Sequence, residues 1–128
     1  IISERLVLWN LYYENMKELA DSGRISLPVI PKGIIHNGHI FYIKVKDLKE
    51  RTDLIEFLKS RYEISATFHY IPLHSSPGGK KFSRFHGIDR VTTKESERLV
   101  RLPIFYGMKP DDVLLVCEAV NKYYDEKK

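Results

Sequence analysis

An alternating run of side chains, preceded and followed by stretches with helical spacing, most constrains how this chain can fold. Residues 39–45 read HIFYIKV, a period-two, aromatic-rich pattern that is typical of a strand. The preceding stretch places apolar residues on one face at helical spacing, which predicts an amphipathic helix over residues 3–22. Those apolar residues are Leu8, Tyr12, Met16 and Leu19. The sequence therefore predicts a long N-terminal helix followed by a strand.

The next segments alternate again between the two periods. A second apolar stripe predicts a helix over residues 51–62, and the β-prone run that follows predicts a strand over residues 64–70. Proline and glycine then accumulate, which predicts a long loop over residues 72–91. The predicted order up to this point is helix, strand, helix, strand, which indicates mixed α and β structure.

The C-terminal third repeats this order. Thr92 and Glu95 have the spacing of a capping box, which predicts a short helix over residues 93–100. A short edge strand is expected over residues 102–105, because Pro103 cannot donate a hydrogen bond to a central ladder. Pro110 opens a final amphipathic helix. We therefore predict an α+β two-layer sandwich: a small, roughly three-stranded sheet with helices packed on one side, preceded by the long N-terminal helix.

Length and composition limit the class of protein. The chain has 128 residues, a net charge of +4 and one cysteine, Cys117, so it is long enough for one core and cannot form an internal disulfide. No apolar stretch approaches the roughly 20 residues of a membrane-spanning helix. We expect a cytoplasmic protein with no membrane partner, and nothing supports Cys117 as a nucleophile. The absence of a Met at Ile1 leads us to expect a fragment of a longer chain.

The net charge is concentrated in one segment. Residues 80–101 contain seven Lys or Arg and three Asp or Glu, whereas acids and bases balance elsewhere. Such a segment could bind phosphates, so a stand-alone basic module for nucleic acid or a phosphorylated ligand is one hypothesis. A solvated basic face is the simpler alternative. The sequence carries no nucleic-acid-binding motif, and nucleic acid is not the expected partner.

The side chains best suited to binding or catalysis lie where the predicted strand enters the long loop. His69, Tyr70 and His74 place two imidazoles and a phenol there, and strand ends commonly carry functional sites. The alternative is that both histidines only hydrogen-bond backbone atoms at a turn. The five histidines of the chain do not have metal-ligand spacing, so no metal site is predicted. The glycines at 78 and 79 lack the spacing of a phosphate-binding loop, although Lys80, Lys81 and Arg84 could still approach a phosphate.

The run HYIPLH at residues 69–74 resembles the HYxPLH signature of the DegT/StrS-type sugar aminotransferases, which are fold-type-I pyridoxal phosphate enzymes. Three further stretches match in the same order: NGHIFYIK at 37–44, PGGKKFSRFHG at 77–87 and TTKESERLVRLPIFY at 92–106. The resemblance covers nearly the whole chain. Within the family it is strongest to the branch that forms a dTDP-4-amino-4,6-dideoxygalactose.

The resemblance implies a C-terminal small domain over residues 24–128, with residues 1–23 as a linking helix from a large domain. In this family the Schiff-base lysine lies in that large domain, so no catalytic or cofactor-binding residue is assigned here, and the isolated chain is expected to be inactive and free of cofactor. The implied parent is a homodimer that uses pyridoxal phosphate to transfer an amino group from glutamate to a dTDP-4-keto-6-deoxyhexose.

The resemblance and the placement of these residues in loops together suggest which side chains face the sugar or cofactor cleft. They are His69, Tyr70 and His74 at the strand end, Asn37 and His39 at the start of the neighbouring strand, and Lys80, Lys81 and Arg84 for the pyrophosphate. It further suggests that the apolar stripe of the first helix packs against a missing part of the protein, so we expect this helix to lack a full partner within the chain.

Overall fold

The computed structural model describes residues 1–127 and contains five α-helices and one small antiparallel sheet within that range. A single 3-10 turn, Leu73–Ser75, separates the second helix from the third. In chain order the elements are α1 (Ile2–Asp21), β1 (Phe41–Lys44), α2 (Leu48–Tyr62), α3 (Pro77–Phe82), α4 (Thr92–Arg98), β2 (Leu99–Leu102) and α5 (Pro110–Asp125). The predicted α+β class is confirmed. No helix within these residues has both the length and the apolar character needed to cross a bilayer.

The sheet is smaller than the sequence predicts. Strands β1 and β2 pair antiparallel, with Phe41 opposite Leu102 and Lys44 opposite Leu99. A single bridge attaches the chain at Ser26 to β1, and another attaches Thr67 to β2. The predicted third strand over residues 64–70 is therefore wrong, because only Thr67 pairs; the next side chain, Phe68, instead packs with its ring 4.4 Å from the Arg51 guanidinium.

The boundary between α4 and β2 also differs from the prediction. The helix ends at Arg98 and the strand begins at Leu99, so the predicted helix to residue 100 and strand over 102–105 are both displaced. The cause is burial, since Val100 and Leu102 both enter the core and a strand places every second residue on one face. Pro103, which has no N–H to donate, follows directly after the paired segment.

Helix α1 is a full member of the core. It packs against α5, and the side chains of Tyr12 and Met16 have no exposed surface. The Tyr12 hydroxyl donates to the Pro103 carbonyl oxygen at 2.7 Å, and the Trp9 indole nitrogen donates to the Ile40 carbonyl at 3.1 Å. The expectation that α1 lacks a full partner within the chain is therefore wrong. Its apolar stripe meets α5 and the buried face of the sheet.

Part of the predicted loop over residues 72–91 is helical. The 3-10 turn Leu73–Ser75 leads into α3, where the Ser76 hydroxyl accepts a hydrogen bond from the Gly79 N–H at 2.9 Å. A Cβ atom at position 79 would lie 1.6 Å from the Leu73 carbonyl oxygen, so only glycine allows this close approach. This turn fixes the path of the chain directly after His74.

Candidate functional site

A cleft of about 340 Å³ lies between the segment that follows Thr67 and helix α4. One wall is residues 69–72, and the other is formed by α4 and the first residue of β2. The cleft exists because the chain leaves the sheet after a single bridge at Thr67 and continues past α4. His69 and Tyr70 line this cleft, as the position of the motif at the end of the extended segment suggested.

His69 is held in one protonation form by its neighbour. Its Nε2 atom lies 3.3 Å from Nη1 of Arg101, and a guanidinium can only donate, so Nε2 accepts and the ring hydrogen resides on Nδ1. Partial burial, the charge of Arg101 and the nearby His39 all lower the pKa of His69 below its ordinary value. His69 is therefore a neutral imidazole at neutral pH.

Arg101 borders the candidate site through its contact with His69, and the sequence motifs did not identify it. It stands opposite Tyr42 in the sheet and forms no ion pair with any residue in the range 1–127. Its neighbours Val100 and Leu102 are buried, so strand alternation turns Arg101 to the face of the sheet away from the core. Reading the segment as a strand from Leu99 would have revealed this orientation. Arg101 places a positive charge beside His69.

Tyr70 and His74 occupy two different settings. The Tyr70 side chain is 68% exposed, and its ring centroid lies 3.9 Å from that of His69, so the two aromatic rings form one surface. His74 lies in the 3-10 turn, with Nε2 2.9 Å from Oδ2 of Asp89 and its ring 4.4 Å from that of Phe85. His74 is thus fixed by side chains as well as by the turn.

Asp89 holds the beginning of α4. Its carboxylate accepts hydrogen bonds from the Val91 N–H at 3.2 Å, from the Thr93 N–H at 3.1 Å and from the Thr93 hydroxyl at 2.5 Å. The predicted capping box of Thr92 and Glu95 is wrong, because Asp89 supplies the cap and Glu95 forms an ion pair with Lys44 at 2.8 Å. The hydrogen bond from the Thr93 hydroxyl is the main cause that lowers the pKa of Asp89, and the backbone N–H groups add to it.

Asn37 and His39 lie at a separate cavity of about 310 Å³ beside Trp9 and Tyr42. The Asn37 side-chain oxygen accepts a hydrogen bond from the His39 N–H at 3.0 Å, which closes a tight turn just before β1. Gly38 occupies the left-handed region at φ 60°, and a Cβ there would come within 3.1 Å of the Arg5 backbone.

The predicted pyrophosphate ligands stand apart from these cavities. Lys80 and Lys81 lie on α3, Arg84 follows it, and all three are exposed. The Lys81 ammonium lies 5.0 Å from the centroid of the Phe82 ring. The basic segment of residues 80–101 is therefore divided, because Arg98 and Arg101 are engaged with Glu95 and His69 while these three side chains face solvent.

Two further features bear on alternative chemistries. Burial raises the pKa of the Cys117 thiol to about 12, so Cys117 is protonated and enclosed at neutral pH. A cavity of about 500 Å³ at the ends of α1 and β1 is lined by several basic side chains, and most of them form ion pairs: Lys44 with Glu95, Arg24 with Asp125 and Lys127 with Asp53. Within residues 1–127, no three potential ligand side chains are grouped to hold a metal ion.

A family model and several curated proteins match this chain. The sequence model described as "DegT/DnrJ/EryC1/StrS aminotransferase family" matches residues 1–121. The dTDP-3-amino-3,4,6-trideoxy-alpha-D-glucose transaminase of Micromonospora megalomicea subsp. nigra is 28% identical over 122 residues, which cover 94% of this chain and 32% of that protein. This chain thus spans about a third of the length of the curated relatives it matches.

Solved structures share the fold. A DegT DnrJ EryC1 StrS aminotransferase from Brucella abortus superposes with a TM-score of 0.77 at 20% identity, over 95% of this chain and 31% of that one. NtdA from Bacillus subtilis, solved with its bound cofactor PMP, superposes with a TM-score of 0.68 at 22% identity, over 91% of this chain and 28% of that one.

Proposed function

Because this chain belongs to the DegT/DnrJ/EryC1/StrS aminotransferase family, we propose that it is the C-terminal small domain of a pyridoxal-phosphate-dependent nucleotide-sugar aminotransferase. Residues 1–23 would lead from a large domain, and residues 24–128 would form the small domain. The lengths of the relatives support a longer parent protein, since the matched region is about a third of each. The whole enzyme would transfer an amino group from glutamate to the keto carbon of a dTDP-4-keto-6-deoxyhexose, with release of 2-oxoglutarate.

In this proposal the residues that hold the cofactor belong to the large domain. Among the described residues of this chain, no lysine lines the cleft beside His69, and the carboxylate in its wall, Glu95, is engaged by Lys44 and Arg98. The cofactor, when bound to the rest of the protein, would carry the amino group between donor and sugar. This chain's part is to bind and orient the sugar. Alone, it would be inactive and would hold no cofactor.

The observation that carries this proposal is the cleft with a neutral His69 beside the positive charge of Arg101. A sugar nucleotide has hydroxyl groups and a negatively charged pyrophosphate. The guanidinium of Arg101 attracts an anion, and the exposed ring of Tyr70 offers a flat surface against which a sugar ring can pack. Asn37 and His39 would bound the same substrate from the neighbouring cavity, and Lys80, Lys81 and Arg84 would contact the pyrophosphate from outside.

Exposed apolar side chains support a larger assembly. The loop before β1 carries Val29 and Ile35, and a second surface beside α1 combines Val7 with Phe105 and Tyr106. Apolar patches of this kind usually mark interaction surfaces. In the proposed enzyme the large domain and a second subunit of a homodimer would cover them.

The test is a kinetic one on the full-length enzyme. His69→Ala should raise the KM for the 4-keto sugar about 10-fold, because one hydrogen-bonding group of the cleft is lost. His86→Ala is the matched control, since His86 is exposed and lies outside the cleft. The proposal is wrong if His69→Ala leaves both turnover and the KM for the sugar unchanged.

A further inference from the structure

Asp89 and His74 form a pair whose geometry reaches beyond capping a helix. The Asp89 Oδ2 atom lies 2.9 Å from Nε2 of His74, and the two side chains are only 16% and 21% exposed. Thr93 and the first N–H groups of α4 hold the carboxylate in place. The Phe85 ring flanks the imidazole at 4.4 Å between ring centroids. Both the position and the rotation of the His74 ring are therefore defined.

The chemistry of the carboxylate determines which nitrogen of His74 carries hydrogen. The hydrogen bonds from Thr93 and from the backbone lower the pKa of Asp89, so the group is ionised at neutral pH. An ionised carboxylate can only accept, and Nε2 must therefore carry the hydrogen of this contact. In the neutral ring the lone pair then resides on Nδ1.

The Nδ1 atom is available to a ligand. It has no hydrogen-bond partner among residues 1–127. It is also not one of the unpartnered side-chain atoms that are fully buried, so it is not closed off from solvent. His74 lies just beyond the cleft, because residues 69–72 line the cleft and His74 is the second residue of the 3-10 turn that begins at Leu73. A lone pair at this edge can accept a hydrogen bond from a hydroxyl group.

We propose that Asp89 is a positioning residue that fixes His74 with hydrogen on Nε2, so that Nδ1 accepts a hydrogen bond from a hydroxyl of the sugar substrate. This inference rests on the proposed function, because it assigns a role within the same substrate site. His69 and His74 are then opposite imidazole tautomers. The contact with Arg101 places the hydrogen of His69 on Nδ1, and the contact with Asp89 places that of His74 on Nε2. In each histidine, a charged neighbour determines which ring nitrogen can accept a hydrogen bond.

The first test measures which imidazole nitrogen of His74 carries the hydrogen. Long-range ¹H–¹⁵N spectra of this chain should show His74 with hydrogen on Nε2, and Asp89→Asn should lose that preference, because an amide can also donate to Nε2. Asp47→Asn is the matched control: Asp47 accepts a hydrogen bond from the Glu50 N–H at the start of α2 and has no histidine partner within residues 1–127. Hydrogen on Nδ1 of His74 in the unmodified chain, or an unchanged ring form in Asp89→Asn, would overturn the proposal.

The second test separates positioning from stability. In the full-length enzyme, Asp89→Asn should raise the KM for the sugar about 10-fold with kcat nearly unchanged, and Asp47→Asn should alter neither. Asp89→Glu, which keeps the acceptor charge, should restore part of the affinity. An active enzyme in which Asp89→Asn leaves KM unchanged refutes the positioning role. If the unmodified enzyme aminates no keto sugar, the proposed function is wrong instead. The spectra would still show which nitrogen of His74 carries the hydrogen.

Discussion

The two ends of the chain and its middle are built on different principles. Helices α1 and α5 pack together with β1 through buried apolar and aromatic side chains, including Tyr12, Phe41 and Val120. Residues 69–93 hold their shape mainly through short-range polar contacts, while Phe82 and Ile88 remain exposed. The first region is stabilised mainly by the burial of apolar surface. The second depends on individual hydrogen bonds and on the close approach of Gly79 to the Leu73 carbonyl. The polar region also carries the candidate site.

The largest expected effect tests the buried region. Phe41→Ala should lower the free energy of unfolding by about 3–5 kcal/mol, because the ring is fully buried and stacks on Tyr12 with centroids 4.8 Å apart. Phe82→Ala removes the same ring from a side chain that is 80% exposed and should change stability by less than about 0.5 kcal/mol. Urea denaturation measures both. Equal losses would show that the two regions do not differ as described.

A pair of adjacent glycines gives the next largest effect, within the polar region. Gly79→Ala should destabilise the chain by about 1–3 kcal/mol, because the new Cβ would collide with the Leu73 carbonyl. Gly78→Ala, whose Cβ would enter open space in the same helix, should be neutral or stabilising by up to about 1 kcal/mol. Thermal unfolding measures both variants. If Gly79→Ala were as harmless as Gly78→Ala, the close approach that fixes the path after His74 would be absent.

The smallest effect concerns pH. The pKa of Asp89 is lower in the folded chain than its ordinary value of 3.8, so its stabilisation is complete above about pH 4 and is lost as pH falls through the lowered folded pKa. Asp89→Asn should therefore reduce the loss of stability between pH 7 and pH 3. Denaturation at the two pH values checks this. An undiminished loss would mean that Asp89 does not contribute to the acid sensitivity of the α4 region.

The same contrast explains which features could be predicted from the sequence. The apolar stripe of α1 and the pattern after Pro110 both reflect burial, so the sequence predicts α1 to within one residue of its observed bounds and the observed start of α5. The segment Leu99–Leu102 was misassigned because four residues give too short a pattern to separate a strand from the end of a helix. Its true form depends on pairing with β1, a contact with distant sequence.

The candidate site shows the same division. The motif at residues 69–74 is enough by itself to indicate His69, Tyr70 and His74, and the role of these residues stays a prediction. Arg101 and Asp89 were missed because neither belongs to a chemical motif of its own; each acts through a histidine that is distant in sequence, 32 residues in the case of Arg101. Such couplings become visible only when the fold brings the partners together.

The burial of Tyr12 and Met16 also has a consequence for recombination between relatives. The hydroxyl of Tyr12 donates a hydrogen bond to the carbonyl of Pro103, 91 residues further along the chain, so α1 is joined to the rest of the domain by side chains as well as by the backbone. A chimera that takes residues 24–128 from one protein and the preceding helix from another would have to match two halves of a single core. A crossover placed before Ile2 would transfer that core intact.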